Sequence, residues 1–191
     1  MRMTATDTKS QLLAEAETLV RRQGYAAFSY ADLAERVGIR KASIHHHFPT
    51  KEDLGMAVID AYLDRFVAAL EHLSDRPVNA KAKLVAYGKF FYESLQDGLM
   101  PLCGALISDV AYLPPSMQNR VMRFFQIHLA WLEKTLNEAT LTPTPKTEAA
   151  AKHNAVLLLS TLQGASVVAR ALEDPSIIKS TYKQALESIV P

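Results

Sequence analysis

The sequence predicts an all-α protein of about nine helices, a short three-helix module at the N-terminus followed by a larger helical domain. Three observations carry this. Apolar residues recur at three- and four-residue spacing along most of the chain, and long strand-like alternation is absent. Ala, Leu, Glu, Lys and Gln dominate the runs, all of them good helix formers. Glycines number only seven, and the nine prolines cluster where the periodicity breaks. At 191 residues and 49% hydrophobic content, the chain can bury a substantial core.

The elements follow in order. Thr8 and Gln11 have capping-box spacing, which predicts a first helix from Thr8 with the stripe Leu12, Leu13, Ala16, Leu19 and Val20. Gly24 suits its left-handed end. Ser29 and Asp32 repeat the capping pattern for a second helix that points Leu33 and Val37 inward, and Gly38 permits a tight turn. A third helix runs from about Lys41 to His47, anchored by Ile39, Ile44 and Phe48. After Pro49, Thr50 and Asp53 open a long fourth helix to about Leu73, with Val58, Tyr62, Phe66 and Leu70 recurring every four residues. Pro77 ends the break Ser74–Val78, and Asn79 caps a helix that reaches about Asp97 or Gly98. Pro101 precedes a helix predicted over Leu102–Tyr112. Pro114-Pro115 opens the next at its first turn, and that helix reaches about Glu138. TLTPTPKT reads as a flexible linker. The helix expected from about Thr147 to Leu172 is apolar nearly all round, so it needs burial on more than one side, within a monomer or against a partner. Asp174-Pro175 starts a last helix carrying Ile178, Tyr182 and Leu186.

Charge is informative only locally. The net charge is +1, yet the span from Arg36 to Lys51 holds four fixed cations (Arg36, Arg40, Lys41, Lys51), three histidines and no acid. A short helix presenting cations and small polar groups after a tight turn suits entry into a DNA major groove. Ser29, as a helix cap, places backbone N–H groups near a phosphate. Arg40, Lys41 and Ser43 lie at the end of the third helix that meets base edges, and Lys41 could pair with guanine while His46 donates to a base or phosphate. Tyr30 and Ala42 complete the local candidate set. Successive residues of the triple-histidine run diverge by about 100°, so they do not share a metal ion, and no metal or cofactor is expected.

The stretch Gly24-Tyr25, Phe28-Ser29, Leu33-Ala34, Gly38-Ile39, Ala42-Ser43-Ile44, His47-Phe48 and Lys51-Glu52-Asp53-Leu54 resembles the TetR family of transcriptional regulators, with unbroken spacing over the N-terminal module. The resemblance implies an all-α homodimer with a helix-turn-helix at 1–50, an effector-binding and dimerisation domain at 51–191, and Lys51 as a phosphate anchor. The family usually has a tyrosine, typically touching a phosphate, where this chain has His45. Histidine reaches less far and acts in a pH-dependent way. The resemblance also implies dimerisation through the last two helices, for which Val156, Leu159, Gln163, Val167, Ile178 and Tyr182 are the candidates. The function it implies is a ligand-responsive regulator, most simply a repressor, of double-stranded operator DNA. A helical protein-binding adaptor is the alternative from another class.

Several aromatic and reactive groups punctuate the larger domain. His128 falls on the stripe Val121, Phe124, Phe125, Leu132, with Trp131 beside it. Tyr87 and Phe91 share a face, as do Tyr62 and Phe66, and Cys103 belongs with Ile107. If these surround a cavity, it suits a small, mostly apolar effector with one polar or acidic group. Taken singly each aromatic is ordinary core, and His128 is either a satisfied core histidine or a ligand contact. Some TetR-like proteins sense electrophiles or oxidants through a cysteine in the region of Cys103, which gives a thiol-sensing repressor as a further alternative. An inert small hydrophobe is the simpler reading of that cysteine. No nucleophile elbow, zinc-protease pair, phosphate loop or dinucleotide fingerprint is present, which disfavours an enzyme. A single cysteine, no apolar leader and no membrane-length apolar run point to a cytoplasmic protein.

Overall fold

The structure is a computed structural model that describes residues 5–139 and 144–190. Among these residues it contains nine α-helices and no strand: α1 (Ala5–Gln23), α2 (Tyr30–Val37), α3 (Lys41–His47), α4 (Lys51–Asp75), α5 (Ala80–Gln96), α6 (Leu102–Ile107), α7 (Pro115–Glu138), α8 (Pro145–Ala171) and α9 (Ser176–Ile189). None is long and apolar enough to cross a membrane.

Local capping chemistry sets most boundaries. Ser29 and Asp32 form a reciprocal box at α2, and Thr50 and Asp53 form one at α4. The Asn79 side chain accepts from the Ala82 N–H at the start of α5. Gly38 closes α2 in the left-handed region at φ 73°, where a side chain would be strained.

Three boundaries depart from the sequence pattern. Helix α1 begins at Ala5, so Thr8 lies inside it, and Asp7 supplies the acid of the first turn. Gln11 does not reach back to close a box; its Oε1 is buried without a partner among the described residues. The helix predicted over Leu102–Tyr112 is two pieces, α6 and a 3-10 turn at Val110–Tyr112. Helix α8 starts at Pro145, because Thr144 and Thr147 form a box that the sequence reading had placed in the linker. Residues 140–143 of that linker and 1–4 of the N-terminal segment lie outside the described residues.

The chain divides into two compact units, and α4 and α7 each contribute to both. The first takes the chain up to Asp64 together with Leu102–Met122. Leu12, Leu33, Ile44, Leu54 and Met117 are fully buried there. A Cβ on Gly55 would lie 2.7 Å from Met117 Cε, so the glycine is what lets the start of α7 seat against α4. Arg120 on α7 donates to Asp60 on α4 at 2.8 Å, and Ser116 donates to Glu52.

The second unit takes Arg65–Pro101 and the chain from Arg123 onward. Its helices α5, α8 and α9 pack mutually. Lys83, largely buried, pairs with Glu138 at 2.9 Å. The Trp131 indole N–H donates to Ser74 Oγ at 2.9 Å, tying α7 to the end of α4.

Candidate functional site

The first unit presents a helix-turn-helix. Ile44 is completely buried under α3 and Phe48 nearly so, while Ile39 is only half-buried. With its underside pinned, α3 exposes Lys41, Ala42, Ser43, His45 and His46, and Arg40 just before it is exposed too. Arg36 is not part of this surface charge in the same sense, because its Nε donates to Glu15 of α1 at 2.8 Å. Among the described residues, Arg40 and Lys41 are the cations near the reading end with no ion pair.

Tyr30 is a correction to the candidate set. It is buried, and its hydroxyl donates to the carbonyls of Phe48 and Thr50. Burial, with smaller effects from Asp53 and Tyr25, pushes its pKa up to about 12. Its hydroxyl thus holds the α3–α4 turn and is not offered to DNA. Ser29 is engaged in its capping box, where its hydroxyl and N–H hold the Asp32 carboxyl below the usual range.

The His45 Nδ1–H faces the Pro49 carbonyl at 3.1 Å, and the ring sits edge-on to Tyr30. That contact leaves Nε2 as the group facing outward. Lys51 is half-buried: its Nζ donates to the Phe28 carbonyl at 2.6 Å and lies over the rings of Tyr25 and Phe28 at 4.6 and 4.5 Å. Desolvation lowers its pKa, opposed by Asp32 and Asp109. One of its three N–H donors is spent internally.

The candidates of the larger domain do not form one group. Tyr62 and Cys103 fall in the first unit, where the Arg21 guanidinium lies 5.5 Å from the centre of the Tyr62 ring. Ile107 is 46% exposed in the same unit. Phe66, Tyr87, Phe91, Phe124, Phe125, His128 and Trp131 come together in the second. Phe66 stacks on the His128 ring at 4.1 Å, Phe124 tilts against it at 4.1 Å, and Tyr87 stacks on Trp131 at 5.2 Å. Phe91 and Phe125 border these rings, and Phe90 joins them. The Phe90-Phe91 doublet was the sequence signal for Phe90, since one residue of such a pair flanks whatever the other enters.

His128 is fully buried, and its Nδ1 hydrogen-bonds the Tyr87 hydroxyl. Burial pushes its pKa down to about 3, so the imidazole is neutral. Its Nε2 is buried with no partner among the described residues. Half of this histidine is satisfied core and half is an unused polar group in an aromatic wall.

Cys103 is buried, and burial alone pushes its thiol pKa well up. A neutral, inaccessible thiol is a poor nucleophile. Cys103→Ser should therefore leave operator binding unchanged before and after peroxide or maleimide treatment. A wild type that loses its DNA on such treatment while the serine variant keeps it would revive thiol sensing.

The candidate interface residues divide as well. Val156 and Val167 are 47% and 59% exposed on α8. Leu159, Ile178 and Tyr182 are instead buried within the chain, as the packing of α9 on α5 and α8 requires. Gln163 is half-buried, with its Nε2 unpartnered.

Residues 12–58 match the family model described as bacterial regulatory proteins, tetR family. A TetR transcriptional regulator from Legionella pneumophila is 30% identical over the full length of both chains, with a TM-score of 0.90. One from Agrobacterium tumefaciens is 31% identical, covering 98% of this chain and 100% of that one, with a TM-score of 0.89. The HTH-type transcriptional repressor ComR of Escherichia coli is 42% identical over 59 residues, which are 31% of this chain and 28% of that protein. The chain thus spans less than a third of that curated relative.

Proposed function

Because the chain belongs to the TetR family of transcriptional regulators, we propose that it acts as a dimeric repressor of a near-palindromic operator, released by a small effector. It is a DNA-binding helix-turn-helix regulator, and regulators of this family are not enzymes. In this reading residues 1–50 read DNA and 51–191 bind the effector and dimerise. The observation that supports the operator role best is α3 itself. Its buried Ile44 fixes the helix, and its exposed side carries Lys41, Ser43 and His46 with no acid beside them. Two such helices in successive major grooves define a two-fold site.

The cluster around His128 supports an effector of particular chemistry. A neutral imidazole offers one hydrogen bond and no charge, so a flat ligand with a neutral carbonyl or hydroxyl suits it better than a carboxylate. Helix α4 is the natural lever. It is one helix from Lys51 to Phe66 and beyond. An effector preferring one setting of α4 would shift the population away from the DNA-fitting form.

Electrophoretic shift and sequence selection with promoter fragments test the operator role. Lys51→Ala should weaken binding to all sequences and lower the salt slope by about one. Lys41→Ala should relax preference at one operator position, at a cost of about 1–3 kcal/mol there. Equal salt slopes for Lys51→Ala and wild type would remove its phosphate role. Retention of a protein partner with no DNA shift would favour the adaptor.

A further inference from the structure

A groove of about 410 Å³ lies between α5 and α9, on the opposite side of α5 from Tyr87 and Phe91. Its floor is apolar for a specific reason. Gly88 lets the Tyr182 ring lie directly on α5, where a Cβ would come within 2.3 Å of the ring. The Tyr182 hydroxyl is turned inward and donates to the Leu84 carbonyl at 3.0 Å, so it offers the groove no polar group, and the buried Tyr182 ring fills the space beneath it. Ile178 and Leu186 continue that floor, and Val85, 46% exposed, forms a wall.

The rim is different. Lys81 and Lys89 stand on one side, Lys179 and Lys183 on the other. Glu93 and Glu187 are the lining acids, and Glu187 lies 3.8 Å from Lys183. Lys81, Lys89 and Lys179 have no ion-pair partner among the described residues, so the rim carries an excess of positive charge. Lysine stems add apolar surface while their ammonium groups stay in water.

A trough rimmed by four lysines and two glutamates, net positive at its edge, fits one ligand class. We propose that the α5–α9 groove binds a single-chain anionic amphipath, its chain along Val85 and the lysine stems over the buried Tyr182 and Leu186, and its carboxylate between Lys89 and Lys179. The volume falls in the roughly 300–1,000 Å³ range of small-molecule sites. This site is separate from the aromatic cluster and does not depend on the effector reading of His128.

The test is isothermal calorimetry of the full chain with decanoate below its micellar concentration. One decanoate should bind per chain. The double variant Lys89→Glu/Lys179→Glu should weaken it at least about tenfold, the worth of a charge-assisted contact. Val85→Trp should weaken it too, by filling the groove, and both sites are exposed enough to be replaced without disturbing the core. Decyltrimethylammonium should not bind, and His128→Leu should bind decanoate like wild type. No decanoate binding, equal affinity across the groove variants, or equal binding of the cationic amphipath would overturn the proposal. So would loss of binding in His128→Leu alone, which would put the ligand in the aromatic cluster. Sedimentation with phosphatidylglycerol vesicles without decanoate binding would also overturn it, reading this face as a lipid-surface contact.

Discussion

Val167→Glu should give a monomer that no longer binds operator DNA tightly. Helix α8 turns Ala155, Leu158, Leu162, Ala165 and Ala169 into its own unit. Its other side leaves Val156, Leu157, Val167, Val168 and Leu172 between 47% and 66% exposed. Val156 and Leu157 at one end and Val167 and Val168 three turns on lie on one side of α8, with the small Ser160, Thr161 and Gly164 between them. Surfaces of that kind mark contact sites. In a two-fold dimer each Val167 would meet the same strip of its partner, so a glutamate there would bring two like charges into the buried interface. Separated subunits would each hold one half-site, and affinity should fall from the roughly nanomolar range of specific regulators toward the roughly 10⁻⁵ M of non-specific contact. Light scattering and operator titration measure both effects. Thermal melting checks that the fold survives, as it should at a surface position. A wild type that is monomeric at micromolar concentration, or a glutamate variant that remains dimeric with full affinity, would sink this arrangement.

The same helix shows what a sequence does and does not disclose. That α8 is apolar on more than its core-facing side was legible, and the structure leaves Val156, Leu157, Val167 and Val168 exposed there. Which of its neighbours are cover and which are covered was not. Ile178 and Tyr182 have the periodicity of an interface and turn out to face inward, because Gly88 opens α5 to the Tyr182 ring. Tyr30 likewise sits among DNA candidates in sequence, yet its hydroxyl finds two carbonyls 18 and 20 residues away. Periodicity reports that a face is apolar and says nothing of what lies opposite. Caps behave differently. The boxes Ser29/Asp32 and Thr50/Asp53 close within four residues, so their chemistry is complete in the local sequence. Thr8 with Gln11 shows the limit of that rule, since a helix already running from Ala5 leaves no free N–H groups there to cap. In the helix-turn-helix the site is built from such local pieces, and most of its candidates are where the pattern puts them. The ligand candidates needed long-range packing, and Tyr62, Cys103 and Ile107 part company with the His128 group for that reason.

His128→Leu should separate effector response from DNA binding, and it should also change how the fold responds to acid. Burial holds the folded imidazole's pKa at about 3, against 6.5 for the free side chain. Between those values the unfolded chain takes up a proton and the folded chain does not. Stability therefore falls as pH drops through that window, by about 1.4 kcal/mol per pH unit from this one group. Above the unfolded value the effect vanishes. Chemical denaturation of wild type and variant across about pH 6 to pH 4 isolates it, because carboxylate titrations are common to both and cancel in the difference. The leucine variant should be the less acid-sensitive of the two. It removes the hydrogen bond between the Tyr87 hydroxyl and His128 Nδ1. Operator affinity at neutral pH should match wild type, since no residue of α2 or α3 is altered. Metabolites found by thermal shift to release the wild-type protein from DNA should fail on the variant, because His128 Nε2, unpartnered among the described residues, is gone. If the two pH profiles run parallel, His128 is not held neutral by its surroundings. If release persists undiminished in the leucine variant, the effector takes its polar contact from another group, and the His128 cluster is core alone.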